Sequence, residues 1–327
     1  SNRTATSSTP SWGWAMAADA GVHTLPAAPF GARQRLHFAG AVLLPTALSL
    51  AGPFVLPLGG HPGWALGLLL GVWFIVGGVG VSVGLHRHFS HRSFDGPPAL
   101  RWLLGACGQM AAQGPVVYWV ALHRLHHAAS DRPGDPHSPQ PQAWPGRAAG
   151  RSAWRAFWRG HLGWVPRHDV PKPTRYARDL IGDPVVRSLG RHYHACVAAG
   201  VLLPAALALL ALGPVAPLGT GALGAVDAAL FGAWWGGVLR IALGHHVIWA
   251  INSCCHARRA RADDTGEHSR NLAWLALPSW GESWHHNHHA HPAQARFGRG
   301  WRQPDIGWQV VRLLAWLGLA RVRSGSG

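Results

Sequence analysis

Long apolar runs alternate along the chain with segments that hold nearly all of its charge. The first two runs, LHFAGAVLLPTALSLAGPFVLPL (36–58) and PGWALGLLLGVWFIVGGVGVSVGL (62–85), are each long enough to cross about 30 Å of hydrocarbon as a helix. Only a few residues join them, so they predict a hairpin. A second pair, roughly 194–216 and 222–250, is joined by the Gly/Pro-rich GPVAPLGTG. Between the hairpins, PPALRWLLGACGQMAAQGPVVYWVALH is apolar but broken at Gly114 and Pro115. It predicts a helix lying in the interface or half-inserted, followed by a second helix. Near the end, DIGWQVVRLLAWLGLARVR spaces Ile306, Val310, Leu313, Leu314 and Leu317 at helical intervals, with Arg312 and Arg321 elsewhere. A surface helix at the membrane fits that pattern.

Two hairpins place both termini and all long loops on one face. The expected fold is therefore an all-α integral membrane protein, with four transmembrane helices in two hairpins beneath a helical cap. Residues 1–35, small and polar, read as a mobile tail without the ordered regions of a cleavable signal. The membrane domain is expected over 36–321, with a short C-terminal tail at 322–327.

Composition agrees with a membrane protein. The 327 residues are 48% hydrophobic and only 13% charged, where a soluble enzyme would have about a quarter charged. The net charge of +16 comes from 29 Lys plus Arg against 13 Asp plus Glu, and Lys172 is the only lysine. The arginines fall between the apolar runs, the pattern of cytoplasmic loops, so the cap is expected on the cytoplasmic face of the membrane. No recognition module accompanies the charge, which argues against nucleic acid as a partner. Cys107, Cys196, Cys254 and Cys255 show no metal or disulfide spacing and read as small buried hydrophobes.

Histidine changes the picture. In WVALHRLHH, His123, His126 and His127 are spaced i, i+3 and i+4, which shares one helix face. The spacing recurs at His285, His288 and His289 in GESWHHNHHAHP. HRHFSH sets His86 and His91 at the expected end of the second membrane helix, and AINSCCH sets Asn252 and His256 at the end of the fourth. Five residues are about 500° of α-helical rotation, so His86 and His91 diverge by roughly 140° and need a helix break or different metal ions. All four clusters lie just beyond the same helix ends and can meet at one site. An imidazole-only donor set suits iron, zinc or copper rather than magnesium or calcium. Eight or nine histidines exceed one metal's needs, so two are expected, and a redox pair such as iron fits better than structural zinc.

The ordered boxes HxxxxH, HxxHH and HxxHH, the DPH after the second, the NxxxH on the fourth helix and the GE before the third resemble the membrane fatty acyl-CoA desaturases. The stearoyl-CoA delta-9 type in its bacterial form is the most similar, over about residues 36–321. The resemblance implies a non-haem diiron enzyme that uses O2 and two electrons to place a double bond, at delta-9, in a long-chain acyl thioester. One iron would take His86, His127, His256 and His289, with Asn252 holding a water; the other would take His91, His123, His126, His285 and His288. Zinc can replace iron in overexpressed protein. Asp131, Asp135 and Glu282 are candidates to orient imidazole N–H groups. Trp73, Phe74, Gly77, Gly78, Trp119, Trp280 and Trp284 are candidates for the wall of the acyl tunnel, and bulky groups near Trp73 would cap its length. The implied partners are an acyl-CoA or acyl carrier protein thioester, and a separate ferredoxin-like or cytochrome b5-like electron donor with its reductase.

Other readings carry less weight. His137, His245, His246, His286 and His291 lie near the boxes but match no ligand position, and isolated histidines such as His23, His61, His168 and His192 read as surface or packing residues. GGHPGW (59–64) lies in a membrane hairpin with no haem-binding domain around it. Arg147, Arg151, Arg155 and Arg159, every four residues, read as a solvated stripe, with a dock for carrier phosphates or an acidic donor as the minority reading. A diiron hydroxylase or alkane monooxygenase, or an acetylenase, are the enzymatic alternatives. A non-catalytic metal-binding membrane protein is the remote one, since a transporter holds its ligands near the membrane midplane.

Overall fold

The computed structural model describes residues 22–56, 61–143, 152–213, 224–257 and 266–323. In chain order its main helices are α1 (Gly31–Val55), α2 (Pro62–Ser90), α3 (Pro98–Gln109), α4 (Val116–Ala129), α5 (Pro184–Arg191), α6 (Tyr193–Leu212), α7 (Ala225–Cys255), α8 (His285–Ala290) and α9 (Ile306–Trp316). Of these, α1, α2, α6 and α7 are long and apolar enough to cross a membrane. The remaining helices gather at the ends of α2 and α7 and form the cap.

The second half of α2, Phe74–Ser90, is wound as a π-helix. Such turns, bonded i→i+5, are usually single and frequent at functional sites; here the winding runs for 17 residues. Valines and glycines alternate along it, and the β-branched side chains that crowd an α-turn have more room in a wider one. The consequence is that residues five apart stack. Val76, Val81, His86 and His91 form one row, and Gly77, Ser82 and Arg87 form the next.

α3 lies along α2 at backbone contact. A Cβ on Gly80 would overlap the backbone of Cys107 and Gly108, and one on Gly84 would meet the Leu104 carbonyl at 2.7 Å. The chain then breaks where Gly114 and Pro115 predict, with Gly114 at φ +103, and α4 starts at Val116. Leu85 and Phe89 of α2, Val120 and Leu125 of α4, and Leu189 of α5 pack into one buried cluster. Each such side chain stabilises by roughly 1.5–3 kcal/mol relative to exposure.

Arg124 fastens this cluster. Its buried guanidinium donates to the Phe89 and Ser90 carbonyls at the end of α2 (2.9 and 2.8 Å), to the Tyr176 carbonyl (3.0 Å) and to both oxygens of Asp179 (2.6 and 3.1 Å). The last carbonyls of a helix have no partner within it, and a cation there also suits the helix dipole. In α7, Arg240 donates to the carbonyls of Gly236, Met110 and Gly200 (3.2, 2.7 and 2.8 Å), tying the turn after α3 to two membrane helices.

The described segments nearest each end of the chain, 22–35 and 321–323, are paired with the rest of the fold. Thr24–Leu25 pairs antiparallel with Val170–Pro171, and Gln34 reaches the His168 carbonyl at 2.7 Å. Residues 22–30 thus pack on the cap and 31–35 open α1, while 1–21 of the expected tail lie outside the described residues. Arg321–Val322 pairs with Phe94–Asp95, and Arg323 bonds Asp95, so 322 and 323 of the expected C-terminal tail are held by the fold, while 324–327 lie outside the described residues. In α9, capped by Asp305 on the Trp308 amide, Gly307 and Val311 are buried, whereas Leu313, Trp316 and Leu317 are exposed as an apolar face.

Gly84→Leu should force α3 off α2 and lower stability by about 1–3 kcal/mol. Thermal unfolding of the detergent-solubilised protein checks this; an unchanged midpoint would show that the contact is slack.

Candidate metal centre

Nine imidazoles converge at the cap end of α2 and α7. His86, His91, His123, His127 and His288 bring one ring nitrogen each within 4.8 Å of one another, and His126, His256, His285 and His289 do the same. Within the first group, His91 and His123 face Nε2 to Nε2 at 2.7 Å, and His288 faces His86 and His127 at 3.0 Å each. Within the second, His285 faces His256 and His289 at 3.0 Å each. Two nitrogens bound to one metal at about 2.1 Å and at right angles lie about 3 Å apart. Both groups can therefore hold a transition metal.

The local winding decides which histidine goes where. His86 and His91 share a group because the π-turn stacks residues five apart, and the His91 amide donates to the His86 carbonyl at 3.1 Å. The grouping differs from the split that the family resemblance implied, which sent the pair to different metals, and takes the other route that α-helical geometry left open, a change in the winding of the helix. Helices α4 and α8 straddle the two groups in opposite senses. On α4, His123 and His127 (i, i+4) turn to the first group and His126 to the second; on α8, His285 and His289 turn to the second and His288 to the first. The step to i+3 falls on the other side of the helix face from the step to i+4. Each HxxHH thus serves two groups.

Carboxylates hold the far side of several rings. His86 Nδ1 meets Glu282, His126 Nδ1 meets Asp135 at 3.0 Å and His256 Nδ1 meets Asp131 at 2.8 Å. An Nδ1–H donated to a carboxylate fixes the tautomer and leaves the Nε2 lone pair free for a metal. His126 Nε2 is buried with no hydrogen-bond partner, as a ligand atom should be. Burial, and then the neighbouring imidazoles, hold His91, His123, His285, His288 and His289 well below the ordinary histidine pKa. These rings are neutral at neutral pH and able to bind. Burial also lowers His126, but the charge and hydrogen bond of Asp135 outweigh it and raise the group. Burial would raise Asp131 and Glu282; the bonded His256, and His86 with Arg87, hold them below the usual carboxylate range.

Several residues escaped the sequence reading. Glu267, buried in a loop without a motif, lies 3.7 Å from Nδ1 of both His256 and His289. Arg87, inside HRHFSH, reads as one more cytoplasmic cation. In the structure it is fully buried, bonding Glu282 (2.5 Å), Asp305 (2.8 Å) and the Ala295 carbonyl (2.8 Å). It thereby ties α2 to the segments on either side of α8. Phe297 packs its ring on His288 and His86, at centroid distances of 4.3 and 5.3 Å, under the Arg87 guanidinium.

A cavity of about 80 Å³ adjoins the histidines, walled by Trp119, Leu122, Ile248 and Trp249, with Asn252, Gln113 and Glu282 among its polar positions. Trp119 stacks on His123 at 5.3 Å and donates its indole N–H to Gln113 at 3.0 Å. Trp73, Gly77 and Trp280 line a second, narrower cavity, and Gly78 touches Trp280. Two tunnel candidates lie elsewhere. Phe74 is 42% exposed on the outside of α2. Trp284 is buried with Ala276 and Phe297, and its indole N–H donates to the Pro304 carbonyl at 2.8 Å.

Comparison with known proteins fits this geometry. The model of the family described as fatty acid desaturase matches residues 59–303. The chain is 39% identical over 254 residues to a hex-5-enoyl-[acyl-carrier protein] acetylenase of Moorena producens (strain JHB), covering 78% of this chain and 75% of that one. It is 35% identical over 265 residues to an sn-1 stearoyl-lipid 9-desaturase of Anabaena variabilis, covering 78% and 82%. It is 36% identical over 248 residues to delta-9 acyl-lipid desaturase 1 of Arabidopsis thaliana, covering 76% and 71%. With a membrane-spanning helical fold, two converging sets of imidazoles and a match over three quarters of its length, this chain belongs to the fatty acid desaturase family.

Proposed function

We propose that the chain is an O2-dependent desaturase of acyl thioesters with an iron in each histidine group, His86, His91, His123, His127 and His288 in one and His126, His256, His285 and His289 in the other. Asn252, on the wall of the adjoining cavity, would hold a water beside them. The observation that carries this reading is the pairing of two converging Nε2 sets with carboxylate-held Nδ1 atoms beside an apolar cavity. Two irons supplied with O2 and two external electrons provide the oxidising power to remove hydrogen from adjacent methylenes. The chain's own residues do the rest. Trp119, stacked on His123, and Ile248 opposite confine the acyl chain and exclude water, while Glu282, Asp131 and Asp135 keep the rings in one tautomer.

The site would lie on the cytoplasmic face of a bacterial inner membrane, in keeping with the arginines around the cap. Electrons would come from a separate ferredoxin-like or cytochrome b5-like protein with its reductase. The delta-9 position is favoured by the names of two of the relatives, and acetylenase activity, a second oxidation of an existing double bond, by the third. A thioester carrier fits a polar cavity of about 290 Å³ beyond Asp135, lined by Thr24, Arg159, Arg167 and Asp169, where Arg167 brings a cation for a phosphate. Of the arginine stripe, Arg147 and Arg151 lie outside the described residues.

His288→Ala should abolish oxidised acyl product while the helical fold remains, as mass spectrometry of acyl chains from expressing cells would report; product retained at the wild-type level would remove the site. Arg167→Glu should raise the KM for acyl thioester about tenfold or more, an effect of roughly 1.4 kcal/mol. Equal kinetics in the two proteins would place the carrier elsewhere.

A further inference from the structure

The cavity beside the histidines does not stop at Trp119. Val81, Gln113 and Ile248 line both it and the second cavity, which continues between α2 and α7 away from the cap. The row Val76, Val81, His86 follows the same line along the π-wound face of α2. The second cavity is only about 10 Å³, room for about one water-sized sphere.

Trp280 closes it. Its indole fills the notch that Gly77 and Gly78 leave on α2, where an added Cβ at Gly77 would overlap the six-membered ring and one at Gly78 would meet Cδ1 at 2.9 Å. Trp73 backs the indole, with ring centroids 5.3 Å apart. The backbone holds Trp280 there at a cost. Its φ is +57, a left-handed conformation that is an outlier for a bulky side chain and costs on the order of 1–2 kcal/mol. Its carbonyl accepts from the Gly307 amide at 2.9 Å and its amide donates to the Leu277 carbonyl at 3.2 Å, so the residue is fixed at both ends of its peptide. At the far wall stands Arg240, its guanidinium on three carbonyls, which denies an apolar chain any continuation.

We infer that the acyl chain ends against Trp280, so that the substrate carries only a few carbons beyond the bond that is oxidised. This rests on the acyl desaturase reading and narrows its substrate, leaving open the number of carbons on the carrier side. A stearoyl chain oxidised at its middle must place half its length past the metals, and a methylene needs about as much room as a water molecule. Past the cavity beside the histidines, the closed second cavity offers space for about one such group. A chain whose methyl end lies close to the oxidised bond fits it. Trp280 is the residue that sets this limit, with Gly77 and Gly78 as the seat that admits its ring.

The test uses iron-loaded protein supplied with electrons and a series of thioesters on one carrier, from hexanoyl to stearoyl, with the new unsaturation located by mass spectrometry from the methyl end. Wild type should oxidise near the methyl end of the shorter chains and leave stearoyl at least about tenfold slower, a discrimination of the size that one or two methylenes command in a closed pocket. Trp280→Ala should shift that preference about tenfold towards the longer chains. A thermal-shift series on wild type under nitrogen reads binding without turnover or a variant: short thioesters should raise the unfolding midpoint and stearoyl should not. Mid-chain oxidation of stearoyl by wild type at the rate of the short chains, equal stabilisation by both, or an unshifted Trp280→Ala profile overturns the chain-end inference and leaves the desaturase reading intact. No oxidised product from any chain, with short-chain stabilisation still present, overturns the desaturase reading alone.

Discussion

Residues five apart on α2 stack because the helix is bonded i→i+5 from Phe74 to Ser90, and most of the site follows from that winding. The row Val76, Val81, His86 and His91 runs from the inner cavity to the metal centre. The neighbouring row, Gly77, Ser82 and Arg87, receives in turn the Trp280 ring, the Glu282 carboxylate and the Asp305 clamp. An α-turn would swing His91 away from His86 and scatter both rows. The same segment that seats the chain's far end therefore also carries two of the nine imidazoles.

The imidazoles alone cannot hold such a centre together. Neutral rings packed Nε2 to Nε2 with their lone pairs directed at one another favour a cation, and the walls must resist collapse until one binds. That resistance comes from charged groups in matched sets, buried except for the Asp179 carboxylate at the surface: Arg87 with Glu282 and Asp305, Arg124 with Asp179, and the Asp131 and Asp135 carboxylates with His256 and His126. Buried pairs of this kind add little net stability against an apolar replacement, yet removal of one partner costs about 3–5 kcal/mol because the other is left alone. Their use here is to fix geometry. Arg124 sets the end of α2 against α4, Arg87 sets it against α8, and the two groups of histidines are positioned between.

Helix count, hairpin pairing and the nine histidines were legible because apolar length and i, i+3, i+4 spacing are local signals. The break at Gly114 and Pro115 was legible for the same reason. The assignment of rings to the two groups was not, since it depends on whether α2 turns in 3.6 residues or in more, and His86 and His91 are stacked or divergent accordingly. Glu267 was invisible because it stands in a loop and reaches its histidines only through the fold. Arg87 and Arg124 resemble ordinary loop cations in sequence, and nothing local tells that each ends fully enclosed. Of the candidate tunnel positions, Trp119 lines one cavity and Trp73, Gly77 and Trp280 the other, whereas Trp284 lines neither. That difference is set by which way the turn at Trp280 and Gly281, both at positive φ, directs the chain into α8.

We propose that the nine histidines form two metal pockets, with His86 and His91 in the same one. Iron content and iron-edge X-ray absorption of protein from iron-supplied cells, compared between wild type and His91→Ala, test it most directly. Two irons per chain in wild type, with nitrogen-dominated coordination, and selective loss or weakening of the iron in the pocket of His86, His123, His127 and His288 in the variant are the predicted result. A single iron in wild type, or loss in the variant of the iron held by His126, His256, His285 and His289 instead, would contradict the account.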